Sequence, residues 1–390
     1  MSITINHQTN DISATNGSLS VGGGALSNRN KIINGNPMVR QRTTSAQNLG
    51  SGGQYAADRF FGQLFGSSGM VCSHNISTDV PTNDFSGSYF FDVTTAATNN
   101  DYVVNITSRV EGYEAKSLLI PYSGNKATLS FWVKSSQTGS YCITLSTGYR
   151  GGATYNFAYK VVSYAVNSAN TWEKKTIVID TYDTAGSAAW NTTNGNGLEI
   201  TFNIGIGSTY SGVLNPTIDV WNDTSSTGYF LGASGSNQQT WGQSTADSFY
   251  ITGIQLEAGD TATPFEHRSY GDELLRCQRY YYQTDSYKQS LSSLTNVATL
   301  LWHSYAKGAS TWEFQNASFP TTMRASPTLT YSDVAGTVGK ISHATSIGGA
   351  YSNNHNAYSA YATTNVVRIS DYFTGSIYGF GFEYAVDAEL

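Results

Sequence analysis

The stretch LEITFNIGI, residues 198–206, decides the fold class because apolar residues alternate with other residues along it. One face of this stretch would hold Leu198, Ile200, Phe202, Ile204 and Ile206, and the opposite face Glu199, Thr201, Asn203 and Gly205. A period of two residues is typical of a β-strand with one face in the core and the other in solvent. The stretch therefore predicts a half-buried strand.

Similar strands are predicted on both sides of this stretch. The alternation recurs in DYVVNITSRV (101–110), LSFWVKSS (129–136) and SFYITGIQLEAG (248–259), where Gly253 is a candidate for a β-bulge. Clusters of Gly, Asn, Ser and Thr between these stretches have the composition of turns. Many short strands separated by turn signals predict an all-β sandwich or barrel, and no internal repeat indicates a propeller or solenoid.

One helix is predicted, in SYGDELLRCQRYYYQ, residues 269–283. Asp272 follows Ser269 at the spacing of a helix-capping arrangement. The apolar face of this helix would contain Leu274, Cys277 and Tyr281. We interpret the helix as a joint between two β-domains, because Pro264 would end the strand before it.

A second β-region is predicted after this joint. The stretches VATLLWHSYA (297–306) and STWEFQNASF (310–319) have the composition of neighbouring strands. The last stretch alternates clearly, with one face formed by Tyr378, Phe380, Phe382, Tyr384 and Val386. Gly379 and Gly381 on its other face would let another backbone approach closely.

These observations divide the chain into four segments. We predict an extended N-terminal arm at residues 1–50, a β-sandwich at 51–268, a helical joint at 269–285 and a C-terminal β-domain at 286–390. The arm is rich in Gly, Ser and Asn and shows almost no periodic apolar signal. It is either a tail without fixed structure or an arm that becomes ordered against a neighbouring subunit or a particle component.

Composition restricts the functional classes. The 390 residues are 39% hydrophobic and 13% aromatic but only 12% charged, so the polar surface must come from Ser, Thr, Asn, Gln and Gly. The net charge of −6 argues against nucleic acid as a partner. The sequence shows no signal peptide and no run of about 20 apolar residues for membrane insertion. Three distant cysteines predict free thiols and folding in a reducing cytoplasm.

The stretch ITGIQLEAGDTATPFEHRSYGDELLRCQRYYYQ, residues 251–283, resembles a module that recurs in tailed-bacteriophage proteins, especially tail fibres and other virion appendages. In that module a sandwich domain ends in a strand, followed by a corner of the form QLE-G-TPFE-R and by EL-CQRYY. The matching residues here are Gln255, Leu256, Glu257, Gly259, Thr263, Pro264, Phe265, Glu266, Arg268, Glu273, Leu274, Cys277, Gln278, Arg279, Tyr280 and Tyr281. The stretches NKIINGNPMVRQR (30–42) and FPTTMRASPTLT (319–330) are similar to other parts of such proteins, although Val39 stands where an aromatic residue is usual.

The resemblance implies a jelly-roll β-sandwich similar to carbohydrate-binding modules. It also implies a virion structural protein, a tail-fibre, head-fibre or spike subunit that presents a host-glycan receptor-binding surface without catalysis. Such a protein would be made in the host cytoplasm, would form a homotrimer and would contact other virion proteins through its N-terminal arm. Two alternatives stay open: a virion-associated polysaccharide depolymerase and a purely structural capsid decoration protein.

Catalytic and metal-binding motifs are absent from the sequence. It contains no G-x-S-x-G elbow, P-loop or H-E-x-x-H motif, and its six histidines never fall at metal-ligand spacing. A depolymerase would need two carboxylates across a sugar, for which Glu111 with Glu114 and Asp180 with Asp183 are the available pairs. A cation site of Asp and Asn oxygens at 219–223 stays open. We expect no catalytic residue, no metal and no cofactor.

Aromatic residues are the more informative group for function. Tyr and Trp combine an apolar ring face with a polar edge, which suits stacking on pyranose rings. One candidate glycan-binding cluster, within residues 207–247, contains Trp221, Tyr229 and Trp241. The second, in GGAYSNNHNAYSAYATT (348–364), contains Tyr351, Asn353, Asn354, His355, Tyr358 and Tyr361. Both clusters are expected in loops, and the alternative is that their rings fill sandwich ends or subunit contacts.

Overall fold

The structure of the protein is a computed structural model. It describes residues 2–6, 11–15, 28–118, 124–147, 157–180, 190–210, 219–224, 240–284, 311–333, 335–344, 351–373 and 379–390. Within these residues the helices are α1 (Gly112–Ser117) and α2 (Tyr270–Gln278), and nearly all other regular structure is β. Neither of these helices has the length and apolar character needed to cross a membrane.

Strands before residue 260 form a short β-ribbon and a sandwich. In the ribbon, β1 (Ser2–Asn6) pairs antiparallel with β2 (Asp11–Thr15). The sandwich strands are β3 (Gln47–Asn48), β4 (Gln54–Ala57), β5 (Phe60–Phe65), β6 (Val71–Ser77), β7 (Ser88–Thr95), β8 (Val103–Glu111), β9 (Lys126–Ser135), β10 (Gly139–Ser146), β11 (Phe157–Val166), β12 (Glu173–Asp180), β13 (Asn196–Ile206), β14 (Trp221–Thr224) and β15 (Ser248–Ala258).

The sandwich is a jelly roll made of two antiparallel sheets, which confirms the predicted fold class. The seven-stranded sheet has the order β14-β11-β10-β13-β8-β5-β4, and the six-stranded sheet has the order β12-β9-β15-β7-β6-β3. The core lies between them, and the predicted inward residues Leu129, Phe131 and Val133 of β9 are fully buried. Phe131 meets Phe202 of β13 edge to face, with ring centroids 5.2 Å apart.

The structure corrects the prediction that the 198–206 stretch is half-buried, because every residue of β13 is buried. This strand lies in the middle of the seven-stranded sheet, and the side chains of Glu199, Thr201 and Asn203 on its second face each make a hydrogen bond. Thr201 Oγ1 lies 3.0 Å from Thr107 Oγ1, and Asn203 Nδ2 donates to Thr144 Oγ1 at 3.0 Å. A polar face can be buried where its donors and acceptors have partners.

The predicted bulge at Gly253 is confirmed. The register between β15 and β9 shifts between Thr252 and Gln255. Gly253 has φ +61°, in the left-handed region that favours glycine. A Cβ atom there would lie 2.8 Å from Phe85 Cε1, so both the backbone and the space require glycine.

The helix is shorter than predicted. Ser269 caps α2 as expected, because its Oγ accepts a hydrogen bond from the Asp272 backbone N–H at 3.2 Å. The helix ends at Gln278, and residues 281–283 form a strand that pairs with the last strand of the chain. Of the predicted apolar face only Cys277 is confirmed, because Tyr281 lies beyond the helix and the buried residues of α2 are Glu273, Cys277 and Gln278.

Residues 28–48 of the predicted arm belong to the sandwich, which corrects the boundary at residue 51. Ile32 and Val39 are buried, and β3 pairs with β6 in the six-stranded sheet. The segment from 28 to 46 is not a regular strand: the Asn30 and Asn34 N–H groups donate to Glu266 and Glu273 side chains, whereas the Lys31 N–H donates to the Leu256 carbonyl of β15. No side chain before residue 28 lies within the described structure.

A second β-domain follows α2, as predicted. Its strands are β16 (Tyr281–Gln283), β17 (Thr311–Ser318), β18 (Thr328–Ser332), β19 (Ile341–Ala344), β20 (Tyr351–His355), β21 (Ser359–Ala362), β22 (Val366–Phe373), β23 (Gly379–Gly381) and β24 (Glu383–Asp387). They form three small sheets, β16-β24-β18, β17-β22-β21 and β20-β19-β23, around a second apolar core that includes Phe382, Tyr384 and Val386. The predicted last strand is divided into β23 and β24, and the predicted strand at 297–306 lies outside the described residues.

The QLE-G-TPFE-R and EL-CQRYY motif residues connect the N-terminal segment to the sandwich. Glu266 accepts hydrogen bonds from the Asn28 and Asn30 backbone N–H groups. Arg268, with only 6% of its side chain exposed, donates to the Asn30 and Ile32 carbonyls and forms ion pairs with Glu266 and Glu273. We call Glu266, Arg268 and Glu273, with the backbone groups that they bind, the Arg268 network.

A second set of ion pairs connects the two domains. Arg279 donates to both carboxylate oxygens of Glu111 at 2.6 and 3.0 Å, and Tyr280 Oη donates to Glu111 at 2.7 Å. Glu389 lies between Arg42 and Arg59 and forms an ion pair with each. Cys72, Cys142 and Cys277 form no disulfide bond, as predicted, and all three are buried.

Replacing Arg268 with Ala is expected to lower the free energy of unfolding by about 3–5 kcal/mol, because it leaves two carboxylates buried without their partner. The matched control is Arg276→Ala on α2. The Arg276–Asp272 pair is exposed, at 31% and 49%, and its loss should cost about 0–1 kcal/mol. Urea denaturation measures both changes. Equal midpoints for the two variants would show that the Arg268 network does not stabilise the fold.

Candidate functional site

Aromatic side chains collect on the outer face of the six-stranded sheet. Along β9, Trp132 and Lys134 point outward because their neighbours Phe131 and Val133 are in the core. Tyr250 of β15 pairs with Phe90 of β7, and their rings stack with centroids 4.5 Å apart. The outward side chains of this sheet therefore form an aromatic surface on a rigid backbone.

A groove of about 660 Å³ crosses this surface beside Trp132. We call it the aromatic groove. Its walls include Phe85, Ser130, Trp132, Lys174, Phe265 and His267. The Phe85 ring lies 5.3 Å from Phe265 and 5.6 Å from His267, measured between centroids. Gly253 is part of the lining, and its missing side chain lets the Phe85 and Trp132 rings lie close to its backbone.

The groove wall containing Phe265 and His267 is positioned by the Arg268 network. These residues alternate with Glu266 and Arg268 along the chain. The charged pair turns inward, with 10% and 6% of the side chains exposed, whereas Phe265 is half-buried and His267 is exposed. Inward ion pairs thus hold the backbone from which the outward rings project.

A second aromatic group lies next to the groove on the same face. Asp79 accepts a hydrogen bond from Trp172 Nε1 at 2.9 Å and forms an ion pair with Lys134. The Lys134 ammonium lies 4.2 Å from the Tyr250 ring centroid, within the range of a cation–π contact. Although burial alone would raise the pKa of Asp79, hydrogen bonds from Lys134 and Trp172 hold it below its ordinary value. Asp79 is therefore a stable anion that orients Trp172.

The groove offers the contacts that a pyranose ring needs. Ring faces such as that of Trp132 can pack against the C–H face of a sugar. Thr82, Asp84 and Lys174 lie at the exposed positions of the lining and can exchange hydrogen bonds with hydroxyl groups. Pockets of this size with apolar walls and a few polar groups are typical of ligand sites.

The structure places part of the predicted 348–364 cluster on strands rather than in a loop. Tyr358, 67% exposed, precedes β21, and Tyr361, 46% exposed, lies within it. Asn354 is exposed and has φ +68°. His355 is half-buried at the end of β20, where its ring stacks on His343 at 3.7 Å. The side chains of Tyr351 and Asn353 lie outside the described residues.

The predicted 207–247 cluster does not form one exposed surface. Trp241 is fully buried in the sandwich core, so its ring packs against the protein and is not available to a sugar. This corrects the expectation for Trp241 and agrees with the alternative that its ring fills the sandwich. Trp221 is half-buried and donates from Nε1 to the Asp180 carbonyl at 2.8 Å. Tyr229 lies outside the described residues.

The aromatic groove was missed by the sequence analysis, although one signal for it was present. The alternation that places Phe131 and Val133 in the core requires Trp132 to point outward. The outer face of a strand in a sandwich usually carries polar residues such as Ser and Thr. An outward Trp on β9, which has a neighbouring strand on each side, is therefore a signal for a surface with another role. The contributions of Phe85, Phe265 and His267 have no comparable signal, because long-range folding alone brings them to Trp132.

The acidic residues considered for catalysis have structural partners where the structure describes them. Both oxygens of Glu111 are bound by Arg279, and Glu114 pairs with Lys31 at 3.1 Å. Asp183 lies outside the described residues. No group of three or more His, Cys, Asp or Glu side chains suited to a metal ion occurs within the described part of the chain.

The chain was compared with family models, curated proteins and solved structures, and the structural likenesses described here are distant. No family model and no curated protein matches the chain. A tailspike protein 4 domain of bacteriophage CBA120 is 15% identical with a TM-score of 0.31, covering 59% of this chain and 21% of the phage chain. The family 11 carbohydrate-binding module of Clostridium thermocellum is 10% identical with a TM-score of 0.26, covering 58% of this chain and 99% of the module. The CBM22-1 xylan-binding domain of Paenibacillus barcinonensis is 8% identical with a TM-score of 0.24, covering 57% and 99%.

At these TM-scores the likenesses carry no argument about fold or function. The region matched to the phage protein spans only 21% of that protein's chain. The fold stands on the strand order and register described above.

Replacing Gly253 with Ala is expected to destabilise the protein by about 1–3 kcal/mol and to narrow the aromatic groove. The left-handed backbone accounts for about 1–2 kcal/mol, and displacement of Phe85 or Trp132 for the rest. Gly271→Ala in α2 is the matched control, because a Cβ there meets no atom within 4 Å. Chemical denaturation measures both variants. An unchanged midpoint for Gly253→Ala would contradict the assigned floor of the groove.

Proposed function

We propose that the protein is a non-catalytic structural protein of a bacteriophage particle, a fibre or spike subunit that binds host surface glycans through the aromatic groove. The observation that carries the proposal is the groove itself. It combines an outward Trp132, the neighbouring Phe85, Phe265 and His267 rings, and polar side chains at the rim, on a rigid sheet. The resemblance of residues 251–283 to tailed-phage appendage modules supports the placement on a virion.

The arrangement favours weak binding to each sugar with little reorganisation. The rings are held by the sheet and by the Arg268 network, so few side-chain rotamers have to be fixed when a ligand binds. A single groove of this kind would give modest affinity. Several copies on one particle would raise the avidity by roughly 10²-fold or more when they engage a repeating polysaccharide together.

Trp132→Ala is expected to weaken glycan binding by at least about 10-fold, because losing an aromatic ring at the centre of a contact costs about 2 kcal/mol and about 1.4 kcal/mol corresponds to a factor of ten. Binding to host-surface polysaccharide, measured by biolayer interferometry, tests this. The double variant Tyr358→Ala/Tyr361→Ala tests the C-terminal surface that the sequence analysis favoured. It should retain binding if the groove is the receptor site.

The two variants separate the surfaces. Loss of binding in the tyrosine double variant alone would overturn the groove and assign recognition to the C-terminal surface. Retention in both variants would overturn both assignments. Release of reducing ends from the polysaccharide by the unaltered protein would replace the adhesin proposal with a depolymerase.

We also propose that the subunit is a homotrimer. The chain is poor in charge, and α2 exposes Tyr270 and Leu275 at 57% and 48%. Exposed apolar residues that form a contiguous patch mark interaction surfaces, and we propose that this face of α2 belongs to such a surface. Light scattering should give a mass about three times that of one chain. A stable monomer at micromolar concentration would contradict the proposal.

A further inference from the structure

A second cavity, of about 520 Å³, lies where the sandwich meets the C-terminal domain. Its floor is one face of the β16-β24-β18 sheet. Tyr282, Leu329 and Val386 point into the C-terminal core, so the alternate residues point the opposite way. Those alternate residues include Gln283, Ala385 and Thr330, which pair with one another across the sheet and form a row along the floor. We call the cavity the interdomain cleft.

The shape of the cleft follows from the side-chain sizes in this row. Ala385 has a short side chain and stands between Gln283 and Thr330, which are longer. The middle of the sheet is therefore lower than its edges. Gln54 and Tyr55 of β4 form the facing wall. A cavity of this volume at a domain junction is of the size that holds a small ligand.

Several hydrogen-bonding groups in the cleft have no partner within the described structure. The side chains of Gln54, Thr328 and Thr330 make no hydrogen bond with any described residue. Gln283 accepts a hydrogen bond from Tyr281 Oη at 2.6 Å through Oε1, which leaves its amide nitrogen available as a donor. Amide and hydroxyl groups together supply both donors and acceptors from the floor and the wall. Their chemistry matches the hydroxyl groups of a sugar.

The charged groups of the cleft are already paired with one another. Arg42 donates to Asp387 at 2.9 Å and to Glu389 at 3.1 Å. Its guanidinium lies between the rings of Tyr55 and Tyr281, at 4.1 and 3.6 Å from their centroids. Arg42 is thus a fixed part of the wall, and the cleft offers no unpaired charge to an acidic or basic ligand. This favours a neutral ligand.

We propose that the interdomain cleft is a second binding site, for a neutral saccharide unit held mainly by hydrogen bonds. The site is independent of the aromatic groove, because it uses β4, β16, β18 and β24 and none of the groove residues. Its ligand is recognised by amide and hydroxyl groups, whereas the groove recognises ring faces. One protein would then contact a glycan, or two neighbouring glycans, at two chemically different points.

The test is calorimetric titration of the full chain with three neutral disaccharides, lactose, maltose and cellobiose. The titrations are carried out in the Trp132→Ala background, where the groove no longer contributes. Gln54→Ala and Thr330→Ala should each weaken the remaining binding by about 5- to 10-fold, as expected for the loss of one hydrogen bond.

The matched controls are Gln63→Ala and Thr176→Ala. Gln63 lies on β5 outside the cleft, with its amide bonded to the Ser51 carbonyl, and Thr176 is exposed on β12. Neither control should change the binding. All four variants remove a side chain from a sandwich or sheet surface, and their denaturation midpoints confirm folding.

The outcomes distinguish this inference from the proposed function. Binding that survives Trp132→Ala and is weakened by Gln54→Ala supports the cleft, even if the groove proves not to bind polysaccharide. The inference is overturned if none of the three disaccharides binds. It is also overturned if their binding disappears in Trp132→Ala, or if Gln54→Ala and Thr330→Ala bind as tightly as the two controls.

Discussion

The ion pairs of Arg268 are the interaction on which the rest of the structure depends. This guanidinium joins two carboxylates, Glu266 and Glu273, to the backbone of residues 28–34. Without it, the N-terminal segment would lose its hydrogen bonds from Arg268 to the Asn30 and Ile32 carbonyls, and two acids would lose their counter-ion. Removing one member of such a group costs far more than the intact group contributes, because the remaining charges stay desolvated. The arrangement therefore acts as a constraint on geometry more than as a source of net stability.

This constraint explains why one short stretch of chain serves both structure and recognition. Between Pro264 and Ser269, inward and outward side chains alternate without belonging to a regular sheet. The inward side chains of Glu266 and Arg268 are held by buried partners, so the outward rings of Phe265 and His267 have little freedom. A groove built on a loop ordinarily binds its ligand more weakly, because the loop loses conformational entropy when the ligand binds. Here that entropy is already lost when the protein folds, because buried partners fix the inward side chains.

The sequence allowed accurate prediction where a local period decides the structure. The strand at 129–135, the bulge at Gly253 and the Ser269 cap depend on neighbouring residues and were all predicted. The errors arose where distant residues decide. Alternation correctly assigns two faces to β13, but it does not reveal that the polar face is buried as well. That burial is possible because distant residues provide hydrogen-bond partners, such as Thr107 for Thr201. The helix ends at Gln278 because the chain from Tyr281 pairs with a strand about 100 residues later, an example of tertiary pairing that overrides local propensity.

The same limit applies to the sites. A Trp in sequence is equally suited to a core and to a sugar platform, and its immediate neighbours do not distinguish the two. Trp241 is buried whereas Trp132 is outward, although the loop-like surroundings of Trp241 favoured exposure and the apolar surroundings of Trp132 favoured burial. The two cases can be distinguished only when every residue of a predicted strand is assigned to one of the two alternating faces, a rule that we call strand parity. Parity also identifies the floor of the interdomain cleft, where the residues that alternate with the buried Val386 have small or polar side chains. Recognition surfaces of all-β proteins are therefore best sought among the residues that the core does not use.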